Sequence, residues 1–169
     1  MAVQTILKYP HPLLKKMANP VVRIDDAIRS LTQDLVDTME AGPGSVGVAA
    51  PQIGVGLRVC VVDVSKSRHG KDNNHGRLLM INPEIIQKSG AAMMREGCMS
   101  VPDYTGDVER ATEITVQFLD AASGENREVE ASGFEAVAIQ HEMDHLDGIL
   151  FLDRIVSVTT GLFRRKNYR

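Results

Sequence analysis

The stretch Ser132-Gly133-Phe134-Glu135-Ala136-Val137-Ala138-Ile139-Gln140-His141-Glu142-Met143-Asp144-His145-Leu146-Asp147-Gly148 decides how the rest of the chain is read. Ser132 and Glu135 have the spacing of a capping box, with Ser132 accepting from the Glu135 amide, and Gly148 supplies a stop after Leu146. A helix over residues 133–146 is predicted. On it His141 and His145 lie one turn apart, so both imidazoles can be aimed at one ion. Phe134, Val137 and Ala138 share that face, which points the pair into the protein and leaves Met143, Asp144 and Asp147 around the other side. Glu142 flanks the histidines. In the pattern His-Glu-x-x-His such a carboxylate reaches a metal-bound water without being a ligand itself. The alternative is a pair of half-buried helix histidines with no ion, but with five histidines in 169 residues such spacing is seldom accidental.

A catalytic site of this kind has three protein ligands and one open position. Downstream of His145 there is no Glu and no His, and Phe151 stands where a third histidine would be. Asp147 is expected to face away, and Asp153 lies beyond an apolar run. Upstream thiols are better candidates. Cys60, inside the apolar run Leu57-Arg58-Val59-Cys60-Val61-Val62-Asp63-Val64, reads as a small core residue. Cys98, in Arg95-Glu96-Gly97-Cys98-Met99-Ser100-Val101-Pro102, follows a glycine that allows close backbone approach and suits the presentation of a thiolate; the alternative is a buried loop cysteine. His69 and His75 fall in a polar loop and read as solvated, while His11, between two prolines, reads as capping or packing. Three classes stay open at this point: a metal hydrolase, a small protease of the ordinary His-Glu-x-x-His type, and a domain whose ion only holds the fold.

Around this helix the remaining pattern is mixed. Ile24, Ile28, Leu31, Leu35 and Met39 recur at helical spacing, predicting an N-terminal amphipathic helix over residues 24–40 that ends at Gly42-Pro43-Gly44. Residues 57–64 read as a strand covered on both faces, and residues 65–77 as an exposed loop. A second strand, Leu78-Leu79-Met80-Ile81-Asn82-Pro83-Glu84-Ile85-Ile86, should bend or lie at an edge because of Pro83. Alternation through Ile114, Val116, Phe118 and Val129 around Ser123-Gly124 reads as a hairpin. The fold class expected is α+β: mostly antiparallel strands packed around a central helix bearing the His-Glu-x-x-His motif, as a single domain over residues 1–169. Residues 161–169, with Arg164, Arg165, Lys166 and Arg169, read as a short, solvated basic tail.

Composition narrows the partners. A formal charge of -3 lacks the basic excess that sequence-blind nucleic-acid binding requires, so DNA is not an expected partner. No signal peptide or membrane-length apolar run is read, which predicts a cytoplasmic protein with no membrane attachment and with both cysteines kept as thiols.

Three segments resemble the peptide deformylases: Ser45-Val46-Gly47-Val48-Ala49-Ala50-Pro51-Gln52, Glu96-Gly97-Cys98-Met99-Ser100 and Gln140-His141-Glu142-Met143-Asp144-His145-Leu146-Asp147-Gly148. Their order and spacing fit, and the likeness runs over residues 7–155. Two departures stand out: Ser45 where the family has glycine, and Met99 where it has leucine. Met99 is close to leucine in volume, and the family uses its backbone amide, so the change should matter little. The resemblance implies a metal-dependent hydrolase that removes the formyl group from the N-terminal formylmethionine of newly made polypeptides. It implies one divalent ion on Cys98, His141 and His145, with Fe2+ in the cell and Zn2+, Ni2+ or Co2+ as alternatives in a purified sample. It assigns proton transfer to Glu142 and oxyanion stabilisation to the Gln52 side chain and the Met99 backbone N–H. Gln52 alone would read as a loop residue bonding nearby backbone. A methionine pocket is implied at Val46 and Met94, joined by Phe134, Val137 and Ala138 from the helix face. Extended pairing of the peptide is expected along Gly47 and the strand Met94, Glu96, Gly97. The enzyme is expected to be of bacterial type or the mature form of an organellar one, with nascent formylmethionyl peptides as partners and weak ribosome association through the basic tail.

Overall fold

The unbroken apolar run Val59-Cys60-Val61-Val62 becomes a strand with every side chain buried. In the computed structural model, which describes residues 2–166, the elements in chain order are α1 (Asp26–Ala41), β1 (Gly47–Ala49), β2 (Val59–Val62), β3 (Leu78–Ser89), β4 (Ala92–Cys98), β5 (Val101–Arg110), β6 (Glu113–Asp120), β7 (Asn126–Ser132), α2 (Gly133–Leu146), α3 (Val158–Gly161) and β8 (Leu162–Arg164). Antiparallel pairing builds one sheet in the order β1-β2-β3-β6-β7 and a second in the order β4-β5-β8. Because successive strand residues point to opposite faces, Cys60 and Val62 enter a core with Ile139, Met143 and Leu146 of α2. Val59 and Val61 enter another with Leu31, Leu35 and Met39 of α1. Burial of each such aliphatic side chain contributes about 1.5–3 kcal/mol.

Helix α1 begins two residues later than the apolar period suggests because Asp25 caps it, its Oδ1 accepting from the Ile28 N–H at 3.0 Å. Strand β3 lies inside the large sheet rather than at its edge, and Pro83 is accommodated by a bend. The register with β6 shifts between Ile81 and Glu84, and Asn82 takes a φ of 50° with its amide bonded to both the N–H and the C=O of Val21.

Helix α2 has the predicted bounds but not the predicted cap. The capping box does not form: Ser132 Oγ accepts from Asn73 Nδ2 at 2.9 Å, and the buried Glu135 carboxylate takes the His75 N–H at 2.7 Å and faces His75 Nδ1 at 2.5 Å. Both partners come from the 65–77 loop, so His75, exposed as expected, is also tied to the helix. His11 caps its own short turn by accepting from the Leu13 N–H. At the far end Gly148 adopts a φ of 72°, and a Cβ there would stand 2.7 Å from the Lys15 carbonyl carbon, so the chain stops the helix with a residue that only glycine can be. The helix is enclosed on both sides, with Met143 and Asp144 buried as well as the histidine face.

The largest departure from the sequence reading is the second sheet. Residues 162–164 are not a solvated tail but strand β8, paired with β5 through Tyr104, Thr105 and Gly106. Arg164, the last residue of β8, and Arg165 and Lys166 after it are exposed, and Arg169 lies outside the described residues. Among the described residues no helix is long and apolar enough to cross a membrane.

Candidate metal centre

Three segments far apart in sequence converge where α2 meets the end of β4. Helix α2 projects His141 and His145 one turn apart, with ring centroids 5.1 Å from each other. Strand β4 ends at Cys98, where the register with β5 breaks between Gly97 and Cys98, and the Sγ lies 3.3 Å from His145 Nε2. One ligand atom from each of Cys98, His141 and His145 lies within 4.8 Å of the others. Cys60, by contrast, is fully buried in the core.

The orientation of His141 is fixed from behind. Its Nδ1 faces Glu96 Oε1 at 2.8 Å, which leaves Nε2 for the cluster, and its ring stacks on that of Phe151 at 6.3 Å. Glu96 is itself gripped by Arg110, whose Nε and Nη2 donate to its two oxygens at 2.7 and 2.9 Å. The same guanidinium donates to Asp144 at 2.6 Å, and Asp144 also accepts two bonds from Arg154. A chain of alternating charge therefore runs from His141 to the surface at Arg154. Burial would push the Glu96 carboxyl up, but the bonds from Arg110 and His141 outweigh it and hold it at about 2. Burial likewise opposes ionisation of Cys98, yet His145 and His141 beside it hold its thiol well below the usual range, in the form that binds metal.

Glu142 stands beside this three-residue cluster, its Oε1 4.0 Å from His141 Nε2. Burial pushes its carboxyl up to about 6, against the pull of the two histidines. Among the described residues its Oε2 is one of two buried side-chain atoms with no hydrogen-bond partner; the other is His145 Nδ1. Gly47 backs it so closely that a Cβ there would stand 2.7 Å from Glu142 Cγ and 2.9 Å from its Oε1. Gln52 is held on one side by the Ala49 N–H, which donates to Oε1 at 3.0 Å. This turns Nε2 toward Ser100 Oγ at 3.1 Å and Cys98 Sγ at 3.5 Å. Met99 packs its side chain against the α1-side core and next to Gly42. Ser45 takes no positive φ, so serine fits the loop without backbone strain.

A cleft of about 980 Å³ opens onto these groups. Val46, Gly47, Gln52, Met94, Glu96, Gly97, Cys98, Met99, Phe134, Val137, Ala138, His141 and Glu142 all line it; His145 does not. Glu96 lines it with its carboxylate committed to Arg110 and His141. Sequence reasoning missed Arg110 and Asp144, whose partners come from distant segments, and also Arg68 and Arg165 in the cleft wall. One thiolate, two imidazoles and an adjacent carboxylate with a free oxygen fit a divalent ion with an attacking water beside it.

Residues 3–160 match the family model described as polypeptide deformylase. The peptide deformylase of Syntrophobacter fumaroxidans is 41% identical over 166 residues, 98% of this chain and 94% of that protein. That of Heliobacterium modesticaldum is 48% identical over 155 residues, 92% and 95% of the two chains. The crystal structure of the Ehrlichia chaffeensis peptide deformylase in complex with actinonin superposes with a TM-score of 0.86 at 35% identity, covering 94% of this chain and 92% of that one.

Proposed function

The chain belongs to the polypeptide deformylase family and is a metal-dependent hydrolase that removes the formyl group from the N-terminal formylmethionine of newly made polypeptides; we propose that Cys98, His141 and His145 hold its ion and that Glu142 carries the proton. The observation that carries this assignment is the three-ligand cluster with the unpartnered Glu142 Oε2 beside it. When bound, the ion supplies Lewis-acid polarisation and a water of lowered pKa. Glu142 takes the proton of the attacking water at Oε2 and returns it to the departing amine nitrogen. Gln52 Nε2, aimed by the Ala49 N–H, and the Met99 backbone N–H donate to the developing oxyanion. Glu96, locked by Arg110, keeps His141 in the tautomer that offers Nε2.

Substrate methionine enters the apolar part of the cleft at Val46, Met94, Phe134, Val137 and Ala138. The peptide beyond it runs extended between Gly47 of β1 and Met94, Glu96 and Gly97 of β4. The end positions of β1 and β4 in their sheets support that pairing. We read the whole chain as one catalytic domain arranged around α2, acting in the cytoplasm, with weak ribosome association through exposed Arg164 and Lys166.

Fe2+ is the working ion in this reading, with Zn2+, Ni2+ or Co2+ taking its place in purified samples. The thiolate ligand and a ferrous ion are both open to oxidation. Anaerobically purified, iron-loaded protein should release formate from a formyl-Met peptide, lose that activity on chelation, and lose it in air. Full turnover after prolonged aerobic handling with iron alone bound would overturn the choice of ion, and turnover in fully chelated protein would overturn the ligand assignment.

The close approach of Gly47 yields a second test. Gly47→Ala must displace Glu142, and a displacement near 1 Å costs on the order of a hundredfold in rate. Metal content should hold. Formate release by Gly47→Ala within twofold of the parent would contradict the placement of Glu142.

A further inference from the structure

The cleft wall carries charge that the chemistry above does not use. The two carboxylates lining it, Glu96 and Glu142, are buried, whereas Arg68, Arg95 and Arg165 reach it from exposed positions. Arg95 stacks at 3.5 Å on the Phe163 ring and lies 3.7 Å from Asp107. Among the described residues neither Arg68 nor Arg165 forms an ion pair, although Arg68 donates to the His69 ring. Arg165 is also placed with some care. Strand β8 pairs with β5, Phe163 is clamped by Arg95, and the Arg165 N–H donates to the Asp103 carbonyl at 2.7 Å. The guanidinium then lies over Gly97, its Nη2 occupying the place where a Cβ of residue 97 would stand. Gly97 takes no left-handed φ, so what glycine provides there is room. In a protein with a formal charge of -3 this is a local positive rim one residue from Cys98.

We propose that Arg165, together with Arg68, selects formylmethionyl peptides carrying an acidic side chain in the first residues after methionine. An extended peptide advances about 3.3 Å per residue, so a guanidinium over Gly97 is reached by roughly the second or third residue beyond methionine. A guanidinium fork receives a carboxylate through paired N–H donors, and a lysine at the same peptide position meets like charge. The inference rests on reading this cleft as the peptide site, which turnover of a neutral peptide reports independently.

The test uses metal-loaded enzyme and C-terminally amidated formyl-Met-Ala-X-Ala peptides with X as Asp, Asn or Lys. At low ionic strength kcat/KM should favour Asp over Asn about three- to fivefold, through KM, and Lys should be poorest. The preference should shrink in added salt. Arg165→Gln should lower the Asp-to-Asn ratio toward one, and Arg165→Lys should keep part of it. Equal turnover of the Asp and Asn peptides by the parent would overturn the proposal. So would a ratio that survives in Arg68→Gln/Arg165→Gln, or equal loss on both peptides in Arg165→Gln, the mark of a structural role. A preference found only with free-acid peptides would also overturn it, since the carboxylate recognised would then be the chain terminus.

Discussion

Replacing Arg110 by leucine should lower the unfolding free energy by about 3–5 kcal/mol, the cost of leaving buried charge without its partner. The Arg110 side chain is 3% exposed and its two carboxylate partners, Glu96 and Asp144, are 5% and 10% exposed, so water cannot replace the lost donors. Asp144 keeps Arg154 after the substitution; Glu96 keeps only His141. The effect should therefore reach the metal centre: with Glu96 no longer held, His141 loses its fixed acceptor, and metal affinity should fall about 10- to 100-fold. Arg154→Leu provides the contrast. Its side chain is 44% exposed and Asp144 retains Arg110, so the loss should stay within about 1 kcal/mol. Urea unfolding of the three proteins at matched metal loading, with metal affinity measured by competition, distinguishes the two positions. Equal stabilities for Arg110→Leu and Arg154→Leu would mean that the buried pairing contributes nothing beyond an exposed one.

The contrast between these arginines also marks where sequence patterns stop being informative. Helix α2 was legible because everything that defines it is local: two histidines at helical spacing, a glutamate between them and a glycine that only a left-handed turn requires. Strand β2 was legible because burial on both faces leaves an unbroken apolar run. Phe151, standing where a third histidine would be, makes Cys98 the better third candidate, and the resemblance to the deformylases is what implies the full set of Cys98, His141 and His145. The rest depends on contacts between segments. Ser132 and Glu135 match a local cap, but Asn73 and His75, some 60 residues earlier in the chain, compete for both side chains and win. Strand β5 holds Pro102, Gly106 and several polar residues, so it lacks a strand's alternation. Strand β8 exists only because residue 104 meets residue 164, a pairing with no local trace. Arg110 likewise has an ordinary sequence context, and its meaning appears only when β4, β5 and α2 bring Glu96 and Asp144 to it.

Glu142→Ala should reduce formate release by about 10²- to 10⁴-fold, the range that a positioned proton carrier contributes, while the protein keeps its metal. The two halves of this expectation come from one geometric fact. Glu142 is buried beside Cys98, His141 and His145, 4.0 Å from His141 Nε2, and those three already bring one ligand atom each within 4.8 Å of the others without it. Stability supplies a third signature. A buried carboxylate whose Oε2 has no partner costs the fold free energy, since burial disfavours its charge and pushes it up to about 6. Removing it should therefore leave the unfolding free energy unchanged or slightly raised, unlike Arg110→Leu, where a paired charge is broken. Glu142→Gln refines the test, because the amide keeps the shape between Gly47 and His141 but cannot accept and return a proton at Oε2. If the Gln variant is as slow as the Ala variant, the proton is what matters; if Gln restores turnover, Glu142 acts by filling space. Loss of metal in both variants would make Glu142 a ligand and end its role as the proton carrier.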